Sequence, residues 1–262
     1  MSISKKSYAK VNIFLKIAGK RGNYHLLVSR FVRVKSLYDT ITFKEGLYEE
    51  FTLEGKFGCK TTSNTIYKAY MKLKDISSSV EEYFKTNKVI VEKHIPEFAG
   101  LGGGSSNCST FILMVNDVCN LNLSKDELSH IGASIGADVP FFIYEYDSAN
   151  VTGVGEVVKE FKEEPLDIYT ITPKVQCDTG AIFREFRDKF YKEVSIDEAN
   201  KLQSMKSKDI LTLLNPRQAN DLYAPASSVY KELRLENMNF ETTYHFSGSG
   251  SSFFTVNYNR KK

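Results

Sequence analysis

The sequence predicts an α+β protein of one large or two small domains, and three observations carry the mix of strand and helix. Residues 88–95 (KVIVEKHI) are a β-branched run that stops at Pro96, which marks a strand. Beyond it Cys108, Phe111, Ile112, Val115, Val118 and Cys119 recur at helical spacing, so a helix follows. The chain closes on Tyr244-His245-Phe246, a small-residue turn from Ser247 to Ser252, and Phe253 to Asn257, which reads as a hairpin.

Between that first strand and helix lies PEFAGLGGGSSN, residues 96–107. The first amides of a helix lack intrahelical partners and sit at the positive end of its dipole, so the junction is an anion site. Gly100, Gly102, Gly103 and Gly104 let oxygen atoms approach the backbone, and Ser105 and Ser106 add hydroxyls that can bind phosphate. A flexible linker would not be inserted between a buried strand and an apolar helix. A Walker A loop needs Lys and then Ser or Thr after its last glycine, whereas Gly104 precedes Ser105-Ser106-Asn107. A dinucleotide fingerprint fails as well, because Ser105 fills its last glycine place.

Composition narrows the class. At 262 residues, 42% hydrophobic and 26% charged, the chain is an ordinary globular protein with a substantial core. A net charge of +3 from 35 basic and 32 acidic residues argues against a nucleic-acid partner. Cys59, Cys108, Cys119 and Cys177 show neither a C-x-x-C pair nor zinc spacing, and read as reduced, mostly buried thiols of a cytoplasmic protein. No apolar stretch is long enough to span a bilayer, so no membrane is expected, and the N-terminus enters a strand without room for a targeting peptide.

In chain order, residues 8–17 alternate. Ala9, Val11, Ile13, Leu15 and Ile17 share one face, while Lys10, Asn12, Phe14 and Lys16 share the other. Alone, that pattern predicts a half-buried antiparallel strand with Lys10 and Asn12 in water. Gly19 to Asn23 reads as a turn delivering Tyr24-His25 to a strand over 26–34, with further strands at 39–43 and 50–53. Ser63-Asn64 precedes Ile66, Ala69, Tyr70 and Leu73, an amphipathic helix that Asn64 can cap. Past the glycines, Ser124-x-x-Glu127 is a capping box opening a helix through Leu128, Ile131 and Ile135, ended by Gly136. Asp138 follows among apolar neighbours, either as a helix N-cap or as a carboxylate placed for chemistry, because an unpaired buried charge is costly. Gly153-Val154-Gly155-Glu156 closes the first half, and Glu160 to Pro165 reads as an exposed connector. A strand at 166–173 and helices near 195–202, 208–214 and 227–233 belong to the second.

GLGGGSSN after an extended segment resembles the phosphate loop of the GHMP kinases. Lys10-x-Asn12, Gly22-Asn23-Tyr24-His25, Ser63-Asn64, Gly136 to Pro140, Gly153 to Glu156, Asn220-Asp221 and Ser247 to Gly250 appear in that order over nearly the whole chain. Within the superfamily, Lys10-x-Asn12, Tyr24-His25 and Gly136 to Pro140 are similar to signatures of the 4-diphosphocytidyl-2-C-methyl-D-erythritol kinase family. The GHMP loop by itself also suits homoserine or mevalonate kinases, or an idle nucleotide-binding relative.

The resemblance implies a two-domain GHMP kinase fold. Residues 1–156 would be a ribosomal S5 domain 2-like domain, residues 157–262 a ferredoxin-like α/β domain, with the active site in the cleft between them. It implies ATP-dependent phosphorylation of the 2-hydroxyl of a CDP-linked methylerythritol. Asp138 would take the hydroxyl proton, and Lys10 would balance charge on the transferred phosphoryl group. ATP would lie on Pro96, Glu97, Phe98, Ala99, Gly100, Leu101, Gly102, Gly103, Gly104, Ser105 and Ser106, with Asn64 and Asn107 near the adenosine. Mg2+ would be carried mainly by the ATP phosphates. Tyr24 and Phe183 would sandwich the cytosine, His25 would meet its edge, and Asn12 would approach the erythritol hydroxyls. Ser247 and Gly248 would approach the substrate diphosphate. The loop opens on Glu97-Phe98-Ala99, where relatives commonly carry smaller residues.

Overall fold

The computed structural model describes residues 2–22, 24–238, 240 and 242–257. The chain packs as two compact units, one of residues Met1–Ala9, Leu37–Ile95 and Gly102–Glu145, the other of Lys10–Ser36, Pro96–Leu101 and Tyr146–Lys262. Two long paired strands, β1 (Ser2–Arg21) and β2 (Tyr24–Glu45), each contribute residues to both units. The strands expected at 26–34 and 39–43 are one strand, since Lys35-Ser36-Leu37-Tyr38 holds no Gly or Pro to break it. Because β1 continues through Arg21, the expected turn contracts to Gly22, at φ 60°; Asn23 lies outside the described residues.

In the first unit, β3 (Leu53–Gly55) starts where the strand at 50–53 was expected to end. Helices α1 (Thr65–Ile76) and α2 (Ser78–Lys85) follow, then β4 (Asn87–Glu92), which pairs antiparallel with β2 and parallel with β3. Helix α2 was not foreseen; the Ser77 hydroxyl caps its first turn. Next come α3 (Gly103–Val118), α4 (Lys125–Ala133) and α5 (Val139–Tyr144). The capping box forms as read, Ser124 and Glu127 each satisfying the other's backbone amide. Phe43, Phe84 and Phe111, all buried, meet with ring centroids 5.2–5.7 Å apart and anchor the core between the strands and α1 and α3.

In the second unit, β2 pairs antiparallel with β5 (Ser148–Gly153), and β5 with β6 (Val157–Glu160), so the connector begins after a strand that was not anticipated. Strand β7 (Ile168–Ile171) precedes α6 (Thr179–Glu185), α7 (Ile196–Ser204), α8 (Ser207–Leu213), α9 (Pro216–Ala219) and α10 (Tyr223–Val229). Helix α10 begins four residues before the expected start, because Pro225 fits its first turn. The closing hairpin forms: β8 (His245–Phe246) pairs with β9 (Phe253–Val256), which also pairs with β7. Leu15, Ile182, Phe186, Tyr223, Phe246 and Phe253 make this unit's core.

The four cysteines are free. Cys108 and Cys177 are buried, Cys119 is half-buried and Cys59 is exposed. Burial pushes the Cys119 thiol up to about 11 and that of Cys177 to about 12, so neither is a nucleophile at neutral pH. Among the described residues no helix is long and apolar enough to cross a membrane.

His245 couples this fold to pH. It is 4% exposed, and burial holds its pKa down to about 4, opposed by a hydrogen bond to the Leu211 backbone. The unfolded chain binds this proton more readily than the folded one. The contribution is therefore complete above pH 6.5 and lost as pH falls toward 4, up to about 3 kcal/mol. Urea unfolding at pH 7 and pH 4.5 should show wild type losing about 2 kcal/mol more than His245→Asn. Equal losses in the two proteins would contradict the assignment.

Candidate active site

The glycine loop ends in the first unit at Gly102, the N-cap of α3, whose φ of 69° is left-handed and which supplies no side-chain cap. The first helical bond runs from Ser106 N to Gly102 O, so the amides of Gly103, Gly104 and Ser105 precede the ladder. Ser106 turns inward: it is 1% exposed and its hydroxyl bonds that of Ser7 at 2.8 Å, leaving Ser105 as the outward hydroxyl of the pair. The Ser105 Oγ lies 3.6 Å from where a Cβ on Gly136 would stand. The turn leading to Asp138 therefore lies against the first turn of α3.

Asp138 holds the N-cap position of α5, yet its carboxylate makes no capping hydrogen bond. It is half-buried, neither sealed in the core nor used as a cap. Asn64 does cap: its Oδ1 accepts from Ile66 N at 2.9 Å. Asn107 is 3% exposed; its Nδ2 donates to Ser7 and Asp39 and its Oδ1 accepts from Lys93.

In the second unit, residues 96–101 lie against the closing turn. Gly100 has φ 73°, and a Cβ there would come 2.1 Å from the Ser247 carbonyl oxygen. Ser247 Oγ donates to Gly100 O at 2.9 Å, Ser252 N to Ala99 O at 3.1 Å, and Asn220 Nδ2 to the carbonyls of Phe246 and Gly248. The hydroxyl of Ser247 is thus used on the loop itself. Phe98, at the departure noted in the sequence, takes φ 54°, a left-handed conformation rare for a bulky residue.

Lys10 and Asn12 do not face water. They are 3% and 1% exposed, because β1 is covered on both faces from Ala9 to Leu15. Lys10 N donates to Leu101 O at 3.0 Å, tying this strand to the loop. Its Nζ donates to Asn12 Oδ1 at 2.7 Å and stands 4.4 Å above the Phe31 ring. Asn12 in turn donates to Ser29 Oγ at 2.9 Å.

A groove of about 320 Å³ in the second unit is lined by Tyr24, His25, Val154, Phe183, Arg184 and Arg187 among others. Tyr24 is 68% exposed at its rim. The Phe183 ring does not stand open opposite Tyr24: it stacks on His25, with centroids 5.3 Å apart and planes at 20°. His25 Nε2 has no partner among the described residues. Burial, and then the cations of Lys20 and Arg187, hold this imidazole below its ordinary pKa and so neutral at pH 7.

Similarity to known proteins coincides with this geometry. Residues 64–146 match the family model of the GHMP kinases N terminal domain. The 4-diphosphocytidyl-2-C-methyl-D-erythritol kinase of Sulfurimonas denitrificans is 52% identical over 96% of this chain and 96% of its own. The chain belongs to that kinase family. The enzyme of the same name from Sulfurovum sp. is 45% identical over 95% of this chain and 97% of its own. A crystal structure of 4-(cytidine 5'-diphospho)-2C-methyl-D-erythritol kinase superposes with a TM-score of 0.75 at 25% identity, covering 97% of this chain and 90% of that one. The α+β GHMP kinase fold is thus the family's own. Sequence reading missed Asp39, Lys93, Arg184 and Arg187. Only the arginines left a trace, one and four residues after Phe183.

Gly100 and Gly104 should respond oppositely to a methyl group. Gly100→Ala adds a left-handed penalty and a backbone clash, on the order of 2–4 kcal/mol. Gly104→Ala meets nothing closer than 3.8 Å and should gain about 0.5–1 kcal/mol of helix stability. Denaturant melts of both proteins check this, and a Gly100→Ala protein as stable as wild type would refute the close approach.

Proposed function

We propose that this kinase transfers the γ-phosphoryl group of ATP to the 2-hydroxyl of 4-diphosphocytidyl-2-C-methyl-D-erythritol. The products are the 2-phosphate and ADP, a step of non-mevalonate isoprenoid precursor synthesis. One observation supports this above others: within one unit Lys10 is hydrogen-bonded to Leu101, and within the other the turn before Asp138 lies against Ser105. Leu101 and Ser105 are four residues apart in the sequence of one glycine-rich loop, and the backbone of Lys10 and the turn before Asp138 each touch that loop within their own unit.

In this reading Asp138 accepts the proton of the tertiary hydroxyl as that oxygen attacks phosphorus. Lys10 balances charge on the phosphoryl oxygens, held in place by Asn12 and Phe31. The amides of Gly103, Gly104 and Ser105 take the phosphates, with Asn107 near the adenosine. Tyr24, His25 and Phe183 recognise the cytosine, with neutral His25 presenting its unpaired nitrogen. Asn12 orients the erythritol, and Ser247 and Gly248 set the wall beside the diphosphate. Residues 1–156 then carry ATP and the reactive pair, and residues 157–262 supply Phe183 and the closing turn.

Among the described residues no group of three or more His, Cys, Asp or Glu is placed to hold a metal ion. Mg2+ would be carried mainly by the ATP phosphates, whose charge it neutralises. Near-balanced charge and free thiols support a cytoplasmic enzyme acting on small molecules, without nucleic acid or membrane.

ADP release measured with Mg-ATP and a panel of 4-diphosphocytidyl-methylerythritol, mevalonate and homoserine tests the proposal. Turnover should require the cytidine compound. Asp138→Asn should lower kcat by about 10²–10⁴, and Tyr24→Ala should raise the KM for the cytidine compound by roughly 5–150-fold. Turnover of another alcohol would make the chain a different GHMP kinase. Nucleotide binding without turnover would make it an idle relative, and an unchanged Asp138→Asn would remove the proposed base.

A further inference from the structure

We propose that Asp39 is a positioning residue that holds the two flanks of the phosphate loop in register and thereby sets affinity for nucleotide. The inference rests on the kinase reading of that loop. Asp39 is 0% exposed and accepts four hydrogen bonds. Its Oδ1 accepts from His94 N at 2.7 Å and Ile95 N at 2.8 Å, the last two residues before Pro96. Its Oδ2 accepts from Lys93 Nζ at 2.5 Å and from Asn107 Nδ2 at 2.8 Å, on the second turn of α3.

The segment 96–101 is thus flanked on both sides by first-unit residues that one side chain joins. An ionised carboxylate is acceptor-only with about four lone-pair sites, and here four donors occupy them. An amide of the same shape fails, because its NH2 would face two donors whichever way it turns. Lys93 both neutralises the buried anion and donates to Asn107 Oδ1 at 2.9 Å, which fixes the orientation of that amide. From the far side, Ser7 Oγ accepts from Asn107 Nδ2 at 2.9 Å. The contact is close enough that a Cβ on Gly103 would come 3.0 Å from Ile95 Cγ2, so a small shift of either flank misplaces the first amides of α3.

Asp39→Asn and the milder Ser7→Ala test this by calorimetric titration with ADP, steady-state kinetics and thermal melting. For Asp39→Asn we expect ADP affinity to fall about tenfold and the KM for ATP to rise in parallel, with the KM for the alcohol substrate within about twofold. Ser7→Ala should lose about threefold in ADP affinity at a nearly unchanged melting temperature. A folded Asp39→Asn with wild-type ADP affinity overturns the assignment, as does equal weakening toward both substrates, which marks general loosening. If Asp39→Asn does not fold, unchanged ADP affinity in Ser7→Ala overturns it. ADP that fails to bind the wild-type chain overturns the nucleotide reading of the loop, and this inference with it.

Discussion

Backbone meets backbone where Gly100 passes the Ser247 carbonyl, and no side chain can stand between them. That approach makes the site rigid without making it bulky. Three further bonds, from Ser247 Oγ, Ser252 N and Lys10 N, hold Ala99, Gly100 and Leu101 by their carbonyls. With the carbonyls occupied behind, α3 begins at a left-handed Gly102 and leads with its amides. The first turn of α3 thus opens on main-chain donors, with no side chain capping them. Preorganised donors of this kind lower the cost of binding, because little ordering is left to the moment of contact.

Buried charge serves the same end. Asp39 with Lys93, and Arg30 with Glu163, are ion pairs whose side chains are at most 10% exposed. Such pairs contribute little net stability over an apolar replacement, but removing one partner costs about 3–5 kcal/mol. What they provide is geometry. Arg30 donates to Asn150 and to the carbonyls of Gln203 and Met205, while Glu163 accepts from Ser207, fastening the link between α7 and α8 to the strands. Desolvation outweighs Glu163 at that guanidinium and pulls its pKa down to about 10, still charged at pH 7.

Much of the architecture was legible in the sequence because local signals there are strong. The capping box at Ser124, the Asn64 cap, the helix after the glycines and the final hairpin each follow from short-range chemistry. Burial of Lys10 and Asn12 was not legible: alternation describes one covered face, and the second cover comes from distant chain. Asp39 and Lys93 look like ordinary solvated charges, since nothing local tells that 54 residues later they meet. The continuity of β2 was missed through the expectation that strands are short, although no breaker stood in the way. The stacking of Phe183 on His25 escaped for a similar reason, since nothing local brings together two residues so distant in the chain.

The central claim is that the phosphoryl group arrives on the hydroxyl oxygen of a tertiary carbon in the cytidine-linked alcohol, and phosphorus NMR reads it directly. With wild-type enzyme, Mg-ATP and 4-diphosphocytidyl-methylerythritol, one phosphomonoester resonance should grow mole for mole with ADP. It should stay a singlet without proton decoupling, because the carbon bearing it has no hydrogen. A proton-split phosphomonoester, or inorganic phosphate alone beside ADP, would contradict the account.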